Sequence, residues 1–252
     1  MTTRIEWTDE TWNPWHGCRK IKPECDHCYA ATFDSRGLHP AHKGVAKGGD
    51  WTGKITRSPD SVWLAPFRWK SARVFTCSMS DFWHEDVPIQ WLDIALDIIE
   101  HTPHTYQILT KRPGNIARKL ADLKRELPRN VWLGVTIGHP QSLPLLKPLR
   151  RIEATLKFLS VEPLLAPVVP GLDLSGIDWV ICGGESGRGA RLCNVEWVRA
   201  VRDLCIERRV PFFFKQWGTC IGNNPTPWDA ELDQDAKGGA TLDGVLHREF
   251  PA

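Results

Sequence analysis

Tyrosine and methionine are scarce, two of each in 252 residues, against thirteen tryptophans. A long apolar run is missing as well. The strongest stretches, Trp91–Ile99 and Phe158–Val169, are broken by Asp93 and Asp97, or by Glu162, Pro163 and Pro167. Both fall short of the roughly 18–20 apolar residues that a membrane-spanning helix requires. The opening MTTRIEWTDE is polar and acidic, unlike a secretory leader, so a cytoplasmic protein without membrane contact is expected. Nor is there an excess of one charge: 32 Lys+Arg stand against 30 Asp+Glu, a net +2. Any nucleic-acid contact must therefore come from a local patch. No P-loop, zinc-protease motif or Ser-His-Asp string occurs. A composition 42% hydrophobic and 25% charged excludes disordered and collagen-like chains, and this length supports a core without disulfides.

What is present is a strand–helix rhythm. Thr3–Trp7 alternates as a first strand, and Cys28–Ser35 reads as a helix. Residues 39–72 form a long Gly-, Pro-, Lys- and His-rich insertion. Strands are then expected at Arg73–Cys77, Tyr106–Thr110, Val131–Ile137, Leu156–Val161, Trp179–Cys182 and Val210–Lys215. Helices are expected at Ile89–His101, Gly114–Leu127, Gln141–Arg151 and Val195–Arg208. This alternation predicts an α/β fold with a buried parallel sheet, open or barrel-like, over residues 1–219. Residues 220–252 form a C-terminal extension, acidic at Asp229–Asp235 and ending in a short element over Thr241–Glu249. In such folds the chemistry sits on loops after the carboxyl ends of the strands.

Eight cysteines in a chain of this length do not make a disulfide scaffold. Five are scattered, at 77, 182, 193, 205 and 220. Three are clustered as C-x6-C-x2-C: Cys18, Cys25 and Cys28. These form a compact soft-ligand set suited to zinc or to an iron–sulfur cluster. A structural zinc site wants four ligands. His16, His27 or a distant cysteine is available as a fourth, but no second C-x2-C pair exists.

The three-cysteine loop after a first strand, ahead of a parallel α/β array, resembles the radical S-adenosylmethionine (SAM) superfamily. The commonest spacing there is C-x3-C-x2-C with an aromatic before the last cysteine; here the first gap is six and His27 takes the aromatic position. The strings TWNPWHGC, CDHCYA, SMSDFWHEDVP, ILTKRP, GVTI, LSVEPLL, WVICGGESG and FFFKQWG are similar, in the same order, to a phage- and prophage-encoded family placed in that class by its cysteine motif. The resemblance implies a partial (β/α)6 TIM-like barrel of parallel strands, with an N-terminal cluster loop and a basic insertion. It implies a [4Fe-4S] cluster on Cys18, Cys25 and Cys28 whose open iron binds SAM. It also implies a low-potential electron donor such as flavodoxin or ferredoxin, in the cytoplasm of the host cell if the chain is phage-encoded.

The strand-end loops take roles within that frame. SAM contacts are expected from His27, Tyr29, Ser78, Ser80, Asp81, Thr136, Gly183, Gly184 and Glu185. Lys111, Arg112 and Gln216 are candidates for a substrate anion, because Arg suits bidentate carboxylate or phosphate binding. Glu162 and Lys215 are the catalytic candidates. His84, Glu85 and Asp86 suggest a metal, but are expected to cap the helix beginning near Pro88. Residues 38–73 hold seven Lys/Arg against two Asp, with Trp51, Trp63, Phe67 and Trp69 interleaved, and residues 104–129 hold seven Lys/Arg against two acids. That mixture suits a phosphate backbone and unstacked bases, although a solvated insertion packing its own tryptophans is slightly favoured over it. The reading is hydrogen abstraction from a nucleotide or nucleic-acid base in phage DNA modification. The alternatives are a radical SAM enzyme acting on a small metabolite or peptide, and a non-enzymatic zinc-stabilised binding module.

Overall fold

A computed structural model describes residues 3, 5–35, 51–187, 189–219 and 238–252. The fold is mixed α/β, with one sheet of seven parallel strands in the order β1-β4-β5-β6-β7-β8-β9, consistent with a partial α/β barrel. Its strands are β1 (Glu10–Trp12), β4 (Arg73–Thr76), β5 (Thr105–Thr110), β6 (Val131–Thr136), β7 (Leu156–Val161), β8 (Trp179–Gly183) and β9 (Phe212–Gln216). The chain divides into two compact units: residues 1–21, 28–135 and 147–156, and residues 22–27, 136–146 and 157–252.

In the first unit the register pairs Trp12 with Thr76, Phe75 with Gln107 and Ile108 with Leu133. Val74, Ile108, Leu133 and Val135 are fully buried, as strands covered on both faces require. The described part of Thr3–Trp7 is turn and irregular chain rather than a strand; the first strand begins at Glu10. Trp7 imitates a strand residue because its ring packs on Phe75, centroids 4.7 Å apart. Helix α3 (Ile89–Glu100) buries Leu92, Ala95, Leu96, Ile98 and Ile99. Its outer carboxylates, Asp93, Asp97 and Glu100, grip Arg125 at 2.6–2.9 Å. Pro88 is its N-cap and no side chain caps it, so His84, Glu85 and Asp86 do not play the capping part expected of them. Helix α4 (Ile116–Leu123) stops where Lys124 turns left-handed at φ +54, which leaves Leu127 outside it.

The tryptophan excess is explained here. Trp12, Trp15 and Trp63 are fully or almost fully buried and meet edge to face or tilted, Trp15–Trp63 at 5.9 Å and Trp12–Trp63 at 6.3 Å. Trp63 comes from the insertion, on the single-turn helix α2 (Asp60–Trp63). A two-stranded antiparallel pair, β2 (Trp15–His16) with β3 (Thr56–Arg57), ties the insertion to the start of the cysteine loop. Helix α1 (Tyr29–Ser35) follows that loop. Residues 36–50, with the first part of the insertion, lie outside the described residues, as do Arg188, Cys220 and Asp229–Asp235.

In the second unit Ser160 pairs with Ile181 and Cys182 with Phe214, with a bulge at Cys182/Gly183. The helix expected at Gln141–Arg151 is a 3-10 turn over Pro140–Leu145 followed by the short helix α5 (Leu146–Arg150), most of which belongs to the first unit. Helix α6 (Val195–Arg208) starts at Asn194, whose side chain accepts the Glu196 N–H at 2.8 Å. The expected C-terminal element is a hairpin, β10 (Thr241–Leu242) with β11 (Val245–Leu246). Trp217 donates to the Thr241 carbonyl at 2.8 Å, and Trp179 to that of Glu249 at 2.9 Å. Among the described residues no helix is long and apolar enough to cross a membrane.

Candidate functional site

In the first unit the end of β1 runs straight into the cysteine loop, and the loop after β4 holds it there. Asn13 donates to the Ser78 hydroxyl at 3.0 Å and accepts the Met79 N–H at 3.0 Å. The Ser80 hydroxyl donates to the Gly17 carbonyl at 2.6 Å. Gly17 has φ +102, and a Cβ there would lie 2.0 Å from the Lys54 carbonyl oxygen, so glycine is required immediately before Cys18. Tyr29, after Cys28, donates its hydroxyl to the Ser78 carbonyl at 2.8 Å. Ser78, Ser80 and Tyr29 thus share one task in the fold: they fix the ends of the cysteine loop.

Asp81 follows in the same loop and is buried. One carboxylate oxygen accepts from the Trp83 N–H at 3.0 Å and the Thr110 hydroxyl at 2.6 Å. The other accepts from the Lys111 N–H at 3.0 Å and Arg112 Nη1 at 3.2 Å. Arg112, one residue beyond Lys111, is buried too. Its Nε donates to Glu85 at 2.8 Å, Nη1 also to Cys18 Sγ at 3.6 Å, and Nη2 to the Arg19 carbonyl at 2.8 Å. Burial works against the guanidinium charge, but Asp81, Cys18 and Glu85 outweigh it and raise its pKa. Arg112 is therefore a fixed internal cation.

His84, Glu85 and Asp86 bring possible ligand atoms within 4.8 Å of one another. However, His84 Nδ1 accepts the Asp86 backbone N–H at 3.1 Å. That places the ring proton on Nε2 and removes the lone pair a metal would need there. Burial and then Arg112 lower the His84 pKa. Glu85 and Asp86 are engaged by Arg112 and Arg19. The trio is a poor cation site.

In the second unit Cys25 closes a 3-10 turn, Pro23–Cys25. Its neighbour Glu24 is buried and accepts, through one oxygen, the Gly138 N–H at 2.9 Å and the Ser142 hydroxyl at 2.6 Å. The other oxygen has no hydrogen-bond partner among the described residues. His27 Nδ1 lies 3.1 Å from Glu185, and Arg191 binds the same carboxylate through Nε at 2.9 Å and Nη2 at 2.5 Å. Burial alone would raise the Glu185 pKa; the Arg191 hydrogen bonds overcome it and hold the group below the usual glutamate range. Lys215 Nζ donates to Glu162 at 2.6 Å, both side chains being mostly buried. Gln216 contacts the same Glu162 oxygen at 3.4 Å and donates to the Ser186 hydroxyl. Gly183 lies against Glu162 and the Gln216 carbonyl, and Gly184 against the Trp217 carbonyl. The Thr136 hydroxyl is buried with no partner among the described residues. Sequence reasoning did not single out Glu24, Arg191 or Asn13. Each works through contacts dozens of residues away or through a bidentate geometry that no spacing announces.

Cysteine chemistry separates into two classes. Cys77, Cys182, Cys193 and Cys205 are buried, and burial pushes their thiols up, Cys193 and Cys205 to about 12. They are inert protonated thiols at neutral pH. Cys18, Cys25 and Cys28 form no disulfide and are half-buried. By residue type they are soft donors of the kind that iron–sulfur clusters and zinc take.

No curated protein and no solved structure matches the chain. One family profile does, over residues 2–251. The chain belongs to that family, DUF5131, described as a protein of unknown function.

Proposed function

We propose that the chain is a radical SAM enzyme on a partial (β/α)6 barrel, with Cys18, Cys25 and Cys28 as ligands of a [4Fe-4S] cluster. One observation carries the reading. Seven cysteines outside disulfides are described, and the three that are not buried are the three spaced C-x6-C-x2-C after the first parallel strand. Bound there with SAM, the cluster would supply one electron to break the sulfonium–C5′ bond, releasing methionine and a 5′-deoxyadenosyl radical that takes a hydrogen atom from the substrate. A low-potential donor such as flavodoxin or ferredoxin delivers that electron.

The chain's own residues bind and orient. Ser78, Ser80 and Tyr29 hold the cysteine loop. The Thr136 hydroxyl offers an uncommitted buried hydrogen bond to a ribose. Gly183 and Gly184 allow close approach of a flat ring, and Glu185, fixed by Arg191 and His27, stays ionised beside them. Lys215 Nζ and Glu162 hold a proton between them, available to a polar group on the substrate. A nucleotide or nucleic-acid substrate is supported by the exposed Phe67, Arg68 and Lys70 of the insertion.

The test is EPR of anaerobically reconstituted, reduced protein with and without SAM. The expected result is a [4Fe-4S] signal that SAM perturbs and that the Cys18→Ser variant lacks. Protein that binds one zinc and never takes up iron would refute the reading and favour a zinc-stabilised binding module.

A further inference from the structure

The geometry points to Arg112 as a positioning residue that grips Cys18 through its sulfur and raises the reduction potential of the cluster held there. This inference rests on the radical SAM reading.

A guanidinium has five N–H donors. Arg112 directs four of them inward: one to Glu85, two through Nη1 to Asp81 and Cys18 Sγ, and one to the Arg19 carbonyl. At most one remains for a substrate anion, too few for a bidentate clamp. The Arg19 carbonyl follows Cys18 directly, so the same fork holds the cysteine and the chain just beyond it. Its aim is set from behind by Asp81, whose two oxygens already accept from the Trp83 N–H, the Thr110 hydroxyl and the Lys111 N–H. The side chains of Arg112 and Asp81 are only 5% and 6% exposed, so water screens the charge weakly.

Hydrogen bonds to cluster sulfurs, local charge and solvent exposure set iron–sulfur potentials. Reduction adds a negative charge to the cluster. A buried cation with an N–H aimed at one ligand sulfur stabilises that reduced state more than the oxidised one, and the potential rises. Lysine keeps the charge but loses the fork that reaches sulfur, Asp81 and the Arg19 carbonyl together. Glutamine loses the charge and keeps a single amide NH2 with two N–H donors.

The experiment is an EPR-monitored redox titration of reconstituted full-length wild type, Arg112→Lys and Arg112→Gln, with iron and sulfide measured on each. At the wild-type midpoint, the reduced-to-oxidised ratio should fall about tenfold in Arg112→Gln, which is about 59 mV for a one-electron couple. Arg112→Lys should fall between the two. Matching midpoints in all three proteins at equal iron content would overturn the inference and leave the radical SAM reading standing. If Arg112→Gln takes up no cluster, the lysine variant decides: a lowered midpoint supports the inference and an unchanged one overturns it. A wild type that takes up no iron refutes the underlying reading, and this inference with it.

Discussion

Removing the Glu24 carboxylate should loosen the turn that carries Cys25. Glu24→Ala strips the acceptor from two buried donors, the Gly138 N–H at 2.9 Å and the Ser142 hydroxyl at 2.6 Å. A buried donor left without a partner costs about 1–3 kcal/mol. The serine hydroxyl can rotate toward another acceptor, whereas the backbone N–H cannot, so the total should come to about 2–4 kcal/mol. Glu24→Gln retains an oxygen for both donors and places its amide nitrogen where the carboxylate oxygen has no described partner; its cost should be about 1 kcal/mol. Urea unfolding followed by tryptophan fluorescence reads the difference. With a slope of about 2–3 kcal/mol per molar, the alanine variant should lose about 1 M in midpoint and the glutamine variant less than half of that. Hydrogen exchange at the Gly138 amide localises the effect and makes no assumption about how the two units unfold. An alanine variant with the wild-type midpoint and an unchanged Gly138 exchange rate would show that this carboxylate secures nothing.

Two further outcomes are expected in the second unit. Gly184→Ala would put a Cβ 1.7 Å from the Trp217 carbonyl oxygen and 3.0 Å from Cys193 Cβ. Backbone must then move at a cost of about 3 kcal/mol, and the melting temperature should fall by about 6–12 °C; an unchanged melt would mean the β8–β9 loop region has slack. Asp243→Asn should weaken the tether between the C-terminal hairpin and α6, because hydrogen bonds from Arg199, and then Arg202, hold the Asp243 pKa down at about 2, against an ordinary 3.8. A depressed carboxylate pKa gives stability that is full above the unfolded value and lost as pH falls through the folded one. Since the side chain is 35% exposed, screening reduces the effect to about 1 kcal/mol at neutral pH. Denaturation of both proteins across the range should show this difference shrinking from about pH 4 to pH 2; a difference that persists undiminished at pH 2 would assign it to something other than the charge.

Much of the fold was legible because buried strands and amphipathic helices write themselves in local patterns. Leu156–Val161 and Val195–Arg208 begin and end where periodicity places them. The misreadings have identifiable causes. Trp7 is buried by an aromatic contact rather than by strand pairing, so alternation misled at the N-terminus. The leucine spacing through Leu127 outlasted α4 because Lys124 adopts a left-handed turn that no glycine or asparagine announces. For the candidate site, residue types at strand ends could be picked out, but not their partners. Asp81 and Arg112 were assigned to different ligands, yet they bond each other. Glu24 was not singled out, because its two donors lie 114 and 118 residues away.

The C-terminal segment also decides how β9 meets solvent. The Phe214 N–H donates to the His247 carbonyl at 3.0 Å, the Glu249 N–H to the Phe212 carbonyl at 3.2 Å, and Arg248 stacks on Phe213. A row of three phenylalanines on an outermost strand is a template for sticking to other chains. Here the last residues lie along that strand as an antiparallel cover, so the hazard is closed only when they arrive. A chain interrupted before residue 238 would leave the Phe212–Phe214 edge open, and its characteristic failure would be self-association through that strand rather than simple loss of the tail.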